Sequence, residues 1–311
     1  MNLSIALCTR NNCASLVRTL DSLRSLSLPF AGELLLIDNG STDGTWDVLG
    51  SYIHPTLTVR RIMEVTPGLC YARNRALAES TGEIIVFTDD DVRVSPKWID
   101  SLTRPLLEKR AEAVVGGIRL APHLIRPWMT AMHRAWFAST EALDPAQPNY
   151  LIGANMAFLR SVTAKVPQFD VELDPGRLGG WGDTLFSWQL REAGFRLLGA
   201  FDHSIEHHFD ESRLSRPNLL RAARIQGRCH AYVLYHWQHG FLPAPVPRVL
   251  RKLPAAGRLW LRNMTQDPEG GATEQELTFV ASIYIELQWL RERRRPRNYD
   301  KRGLRRLVPG S

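Results

Sequence analysis

Four short apolar runs, Leu3–Leu7, Leu34–Ile37, Leu57–Ile62 and Ile84–Phe87, punctuate the first hundred residues, each bounded by polar or turn residues. Between them the apolar positions change to helical spacing. Leu16, Leu20 and Leu23 form one such set, Trp46 and Leu49 suggest a second, and Tyr71–Ser80 reads as a third. Short strands alternating with helices predict a mostly parallel sheet with helices on both faces. Ligands bind such sheets beyond the carboxyl ends of the strands, so the residues just after each run are the candidates for function.

Those positions hold Thr9-Arg10-Asn11-Asn12, then Asp38-Asn39-Gly40-Ser41-Thr42-Asp43-Gly44, then Asp89-Asp90-Asp91. One polar loop after a strand is unremarkable, whereas three converging on one sheet edge predict a site. The aspartate triplet carries the most information. Three adjacent carboxylates at a buried strand end repel one another and are costly to desolvate. A divalent cation removes that cost, and an all-oxygen set suits Mg²⁺ or Mn²⁺, ions that commonly also hold phosphates. A solvated acidic turn is the plain alternative. The Asp38 loop and the Arg73-Asn74-Arg75 cluster in the same half favour a nucleotide diphosphate site.

Downstream, Val114–Leu120 and Tyr150–Leu159 are further apolar stretches, and a Gly-rich run, 176–183, leads into helical character from Thr184 to Ala193. From Ser215 long basic helical patterns appear, interrupted by Pro243, Pro245 and Pro247. Leu277, Val280, Ala281, Tyr284 and Leu287 make one apolar helix face. The 311 residues suffice for one large domain or two ordinary ones, and a 44% hydrophobic, 23% charged composition excludes a disordered chain or a disulfide scaffold. Cys8, Cys13, Cys70 and Cys229 lack zinc-ligand spacing and read as reduced structural thiols. The N-terminus does not read as a signal peptide, and Leu277–Leu290 is too short and polar to span a bilayer. A cytoplasmic protein is expected.

The ordered motifs resemble the family 2 glycosyltransferases of the GT-A fold. They are SIALCTRNN at Ser4–Asn12, IDNGSTDGT at Ile37–Thr45, PGLCYARNRAL at Pro67–Leu77 and FTDDDV at Phe87–Val92. GANMAFLR at Gly153–Arg160 and GGWGDTLFSWQLREAGFRL at Gly179–Leu197 extend the resemblance to about residues 1–230. It implies an α/β fold with a Rossmann-like, mixed and mostly parallel sheet flanked by helices, and a helical C-terminal extension. The catalytic domain would span 1–212, with a nucleotide half to about 112 and an acceptor half beyond, followed by a basic, mainly helical region at 213–311.

The same resemblance implies roles. Thr9, Asn11 and Asp38 would hold the nucleobase, Arg73 would lie near the nucleotide, Asp89 and Asp90 near the ribose, and Asp91 would bind Mn²⁺ or Mg²⁺. A later histidine completes the metal and diphosphate environment; His207 is favoured over His208. Asp183 would be the general base, taking a proton from the acceptor hydroxyl in a single displacement that inverts the anomeric centre. Gly182 stands where the family commonly has Glu, and Leu185 where another acid is frequent. Asn155, Gly180 and Trp181 would line the donor and acceptor pocket. The implied donor is a UDP-, dTDP- or GDP-sugar, and the acceptor a glycan, a lipid-linked molecule or a small molecule. A non-catalytic nucleotide-sugar-binding or scaffold protein of the same fold is the second reading, motivated by Gly182. A nucleotidyltransferase is disfavoured, because the N-terminus lacks a Gly-rich signature followed by a basic residue.

Charge divides the chain. Residues 1–212 carry 20 basic and 25 acidic residues, and residues 213–311 carry 19 and seven, so the net +7 belongs to the C-terminal region. The resemblance implies a basic segment here that closes over the diphosphate, with Arg213 reaching it, and Arg221, Arg224 and Arg228 share a helical face. The last 21 residues hold nine basic and two acidic side chains. Such a segment can meet anionic lipid at the inner face of the cell membrane, which ranks first because the family resembled includes enzymes with lipid-linked acceptors; plain solubility ranks second and nucleic acid third.

Overall fold

The computed structural model describes residues 2–265 and 271–307. The first half alternates as the periodicity predicts: β1 (Leu3–Thr9), α1 (Cys13–Leu23), β2 (Gly32–Asp38), α2 (Thr45–Ser51), β3 (Thr58–Met63), α3 (Leu69–Glu79) and β4 (Ile84–Thr88). Every residue of β1 and β4 is buried, as befits strands covered on both faces. α1 buries Leu16, Leu20 and Leu23, the three positions with helical spacing. β3 lies at the sheet edge and alternates between exposed and half-buried residues.

The second half is less regular. It contains β5 (Val92–Arg93), α4 (Trp98–Leu107), β6 (Ala113–Leu120), α5 (Ala131–Trp136), β7 (Asn155–Leu159), α6 (Gly182–Glu192) and β8 (Leu197–His207). The apolar stretch Tyr150–Leu159 is strand only from Asn155 onward. Among the described residues the sheet runs β3-β2-β1-β4-β7-β6-β8-β5. β1, β2, β3 and β4 pair in parallel, as do β6 and β8, whereas β7 runs antiparallel to both β4 and β6. The long β8 serves two partners: it runs parallel to β6, and its end pairs antiparallel with β5 through Val92–His207 and Arg93–Glu206. That pairing brings the chain just after the aspartate triplet against the histidine pair.

Three helices follow: α7 (Arg216–Tyr232), which continues into a π-helical turn at Val233–Trp237, then α8 (Pro245–Thr265) and α9 (Glu274–Glu292). No described helix is long and apolar enough to cross a membrane. α7 and α9 approach so closely that a Cβ at Gly227 would collide with the Ala281 carbonyl, which is why that position carries glycine. The expected apolar face of α9 holds at Leu277, whereas Leu287 is 37% exposed. The buried side of α9 instead includes Glu286 and Glu292, charges tolerated because each has partners. Glu286 meets Arg248 and Lys252 at 2.9 and 3.0 Å, and Glu292 meets His236 at 3.0 Å.

Beyond α9 the basic tail folds back onto the body. Arg306 lies 3.5 Å from Asp170, Arg295 pairs with Glu292 and Glu172, and Arg305 donates to the Ala164 carbonyl. Tyr299 and Tyr232 both donate to Asp170 Oδ2, at 2.7 and 2.6 Å. Part of the positive charge at the end of the chain is thus paired with carboxylates of the body, through Arg295, Arg302 and Arg306. Residues 308–311 lie outside the described residues.

Candidate active site

Register decides where the predicted loops open. Thr9 stands opposite Asp38, and Leu7 opposite Thr88, so the turns after β1, β2 and β4 leave the sheet at one edge. A cavity of about 560 Å³ lies there, lined by Thr9, Arg73, the three aspartates, Asp183 and His207 among others. Gly180 and Trp181 line it as well. Residues 110 positions apart in sequence are therefore brought to one concavity.

The aspartates divide their partners. Asp90 accepts hydrogen bonds from Thr9 Oγ1 and, at 2.7 Å, from Asn12 Nδ2. Burial pushes its carboxyl up to about 7, against the opposing effect of those bonds. Asp89 is raised by burial too, and the Arg73 guanidinium 3.5 Å away works against that rise. Asp91 goes the other way. Burial disfavours its charge, but His207 and Arg213 together outweigh burial and hold the carboxyl below its ordinary value. His207 in turn is held above its ordinary value by Asp91, despite burial.

His207 Nε2 lies 3.2 Å from Asp91 Oδ1, and its Nδ1 donates to the Phe137 carbonyl at 2.8 Å. That second bond fixes the ring and the tautomer. The approach to Asp91 falls short of hydrogen-bond geometry, so Asp91 Oδ1 is a buried carboxylate oxygen without a hydrogen bond. Successive side chains of a strand point to opposite faces. His208 accordingly turns away, 3.3 Å from Glu206 and beside the His123 ring.

Asp183 sits in the first turn of α6, where Trp181 rather than the aspartate is the N-cap. Its Oδ2 accepts from the Gly153 amide and its Oδ1 from the Thr184 amide, both at 2.8 Å, which orients the carboxylate toward the cavity. Trp181 adopts a left-handed backbone, φ 72°, an uncommon conformation for a bulky residue. Its indole donates to Gln226 Oε1 at 2.6 Å and packs edge-on against Trp188. The missing acid before Asp183 has a packing cause: a Cβ at Gly182 would lie 2.5 Å from Cys70 Sγ.

Three predicted residues stand elsewhere. Asn155 is wholly buried; it accepts from Trp98 Nε1 and donates to the Gly117 carbonyl, so it braces the sheet interior and does not line the cavity. Its place is taken by its neighbours Ile152 and Ala154. Asp38 is also fully buried. Ser41 donates to its Oδ1 through both amide and hydroxyl, and its Oδ2 is left without a hydrogen bond. Asn11 is exposed with φ 51°, and clasps the second loop by accepting from the Thr42 amide at 2.7 Å.

Sequence reasoning missed the walls supplied from afar. Trp136, Phe137 and Ala138 come from the end of α5 and the turn after it, and Ile225 and Gln226 come from α7. None of these has a local pattern that marks it. Arg213, which also lines the cavity, lies over the Phe209 and Phe137 rings, 5.0 and 5.5 Å from their centroids. It is held by aromatic faces rather than by a carboxylate.

This chain is similar in sequence and in fold to known proteins. The succinoglycan biosynthesis protein ExoM of Rhizobium meliloti is 25% identical over 248 residues, spanning 78% of this chain and 79% of ExoM. GlyG, a glycosyltransferase of Streptococcus pneumoniae, is 31% identical over 27% of this chain, a match that spans 28% of GlyG. Among solved structures, the mannosyltransferase PcManGT from Pyrobaculum calidifontis, in complex with GDP-Man and Mn²⁺, superposes with a TM-score of 0.60. That match has 18% identity and covers 93% of this chain and 86% of PcManGT. GalNAc-T7, solved with UDP, GalNAc and Mn²⁺, gives 0.55 at 18% identity, over 76% of this chain and 48% of its own. These neighbours share the GT-A fold, the mixed sheet flanked by helices found here. The sequence signature of Glycosyl transferase family 2 matches residues 4–166, more than half of the chain. The chain thus belongs to glycosyl transferase family 2, and it is a glycosyltransferase of the GT-A fold.

Proposed function

We propose that this glycosyltransferase moves a sugar from a nucleotide-sugar donor to an acceptor hydroxyl with inversion, using Mn²⁺ or Mg²⁺. The acceptor is a glycan, a lipid-linked molecule or a small molecule. The observation that carries this reading is the meeting of Asp183, Arg73 and the Asp91–His207 pair in one cavity. The donors solved with structural neighbours, UDP-GlcNAc with TarS of S. aureus and GDP-Man with PcManGT, are of the class the reading requires.

Asp183 accepts the proton of the acceptor hydroxyl as that oxygen bonds to the anomeric carbon, and the bond from that carbon to the diphosphate breaks. One displacement at that carbon converts an α-linked donor into a β-linked product. Arg73 and Arg213 face the leaving diphosphate as fixed positive charges, which favours its departure in a partly enclosed site.

The residues fit a divalent cation. Asp91 offers a buried carboxylate oxygen without a hydrogen bond, and the His207 tautomer set by Phe137 leaves Nε2 as the nitrogen facing it. Among the described residues no three acidic, histidine or cysteine groups converge as a cage. Donor phosphates would supply the remaining ligands, as is usual for Mg²⁺ and Mn²⁺. When bound, the ion provides Lewis-acid stabilisation of the diphosphate.

A non-catalytic role draws support from Gly182, but the close contact with Cys70 accounts for that glycine without loss of the base. Asp183→Asn tests the reading. Transfer should fall by about 10²–10⁴-fold, the range for loss of a general base, while nucleoside diphosphate binding with Mn²⁺ persists. Undiminished transfer would remove Asp183 from this role. A wild-type chain that binds no nucleoside diphosphate by calorimetry would favour the scaffold instead.

A further inference from the structure

α8 stands apart from the rest of the C-terminal region in charge and exposure. From Ser212 to Gln266 the sequence contains ten arginines and lysines and not one acidic residue. α8 spans 21 residues of that stretch. Its inner side is satisfied by the protein: Leu259 and Ala256 face Val280, Ile283 and Tyr284, and Arg248 and Lys252 pair with Glu286. Its outer side is unusual. Val246, Leu250, Leu253 and Leu261 are 51%, 57%, 55% and 59% exposed. At 100° per residue, intervals of four, three and eight place all four on one stripe.

Scattered exposed leucines need no explanation, but an aligned row of them on one helix does. Phe241, four residues before the helix, is 78% exposed as well. Arg251 and Arg258, both exposed, flank the stripe on one side, a third and a quarter of a turn or more from its centre. A stripe of large apolar side chains bordered by arginine, without any acidic residue on the helix, is complementary to a surface that is apolar below and anionic above. An anionic lipid bilayer is such a surface.

We propose that α8 lies in the interface of an anionic membrane, its Val246–Leu250–Leu253–Leu261 stripe sunk into the acyl boundary and Arg251 and Arg258 at the lipid head groups. This places the membrane contact within the basic C-terminal region but not on its last residues. There Arg295, Arg305 and Arg306 bond within the protein, and positive charge spent on Asp170 and Glu172 is unavailable to lipid. The inference does not depend on the sugar-transfer reading, because α8 lines no part of the cavity that holds Asp183.

Co-sedimentation of the full chain with vesicles tests it directly. Wild-type protein should pellet with phosphatidylcholine–phosphatidylglycerol vesicles and much less with phosphatidylcholine alone. Leu250→Asp combined with Leu253→Asp should weaken partition by about tenfold or more, since both apolar anchors become charges repelled by the bilayer. Both positions are exposed, so the thermal unfolding midpoint should change little, and measuring it separates lost binding from lost folding. Arg251→Glu with Arg258→Glu should abolish the preference for anionic lipid. Arg293→Glu with Arg294→Glu, at the end of α9, should leave partition nearly unchanged. Wild-type protein that stays in the supernatant with anionic vesicles overturns the proposal. So does a result in which only the Arg293 and Arg294 variant loses binding. A wild-type dimer that the Leu250 and Leu253 variant dissociates, with no vesicle binding by either, would assign the stripe to self-association and overturn it equally.

Discussion

His207 Nε2 faces Asp91 Oδ1 at 3.2 Å, across the short antiparallel pairing of β5 with the end of β8. The two residues are 116 positions apart, and each alters the other's protonation: the carboxylate keeps the imidazole basic, and the imidazole keeps the carboxylate acidic. His208, one residue on, takes no part in this pair.

The asymmetry yields a paired prediction. His207→Ala should weaken Mn²⁺-dependent binding of UDP or GDP by about 10–100-fold, the usual consequence of losing a metal-site partner. His208→Ala should leave that affinity within about twofold, an order-of-magnitude expectation for a residue outside the site. Calorimetric titration of nucleoside diphosphate with and without Mn²⁺ measures both. Equal losses in the two variants would show that the pairing in β8 has been misassigned.

Gly153 makes room for Arg73. A Cβ at that position would overlap the Arg73 guanidinium, the far end of a long side chain that borders the cavity. Gly153→Ala should therefore displace Arg73 and also disturb the amide that donates to Asp183. Because the guanidinium can shift into the adjoining cavity, we expect a stability cost of about 1 kcal/mol or less, the low end for overpacking. Transfer should fall as well. In a double-mutant cycle the effect on transfer should shrink sharply once Arg73 is already alanine, because neighbouring sites couple. Additive losses would deny that the glycine acts through the arginine.

Gly182 and Cys70 form a second steric pair. Gly182→Ala places a methyl group 2.5 Å from Cys70 Sγ, so it should destabilise the fold by about 1–3 kcal/mol. Cys70→Ala opens the space and should recover most of that loss in the double variant, read as thermal unfolding midpoints. A double variant no more stable than Gly182→Ala alone would separate the two residues.

Glu33 predicts an acid-labile sheet edge. It accepts from Ser4 Oγ at 2.6 Å and from the Thr81 amide and hydroxyl at 2.7 Å, and it pairs with Arg60 at 2.9 Å. Burial alone would raise its carboxyl, but these partners bring it down to about 2. A depressed value means that the stabilisation is complete above the unfolded value, near 4.3, and is lost as pH falls from there toward 2. We expect a contribution of about 2 kcal/mol at neutral pH, reduced from the full shift because Arg60 is partly solvated. Glu33→Gln should lose that stability at pH 7 and show a flatter decline between pH 4.5 and 2. Parallel pH profiles for the two proteins would rule this out.

Sequence alone determined the strand–helix order of the first half, the strand-end loops and the candidate carboxylates. These are local properties: β1 and β4 are continuous apolar runs, α1 repeats its leucines every turn, and the triplet follows directly on β4. Only tertiary structure decided what such residues face. The register of β8 on β5 turned His207 inward and His208 outward, a choice that periodicity cannot make between adjacent residues. Asn155 was claimed by Trp98 and Gly117, partners 57 and 38 residues away. The tail arginines found Asp170 and Glu172, and that left the apolar stripe of α8 as the prominent unburied feature of the basic region among the described residues. Charge and hydrophobicity are written into each residue, but whether they are spent inside the molecule or offered outside it depends on contacts between distant parts of the chain.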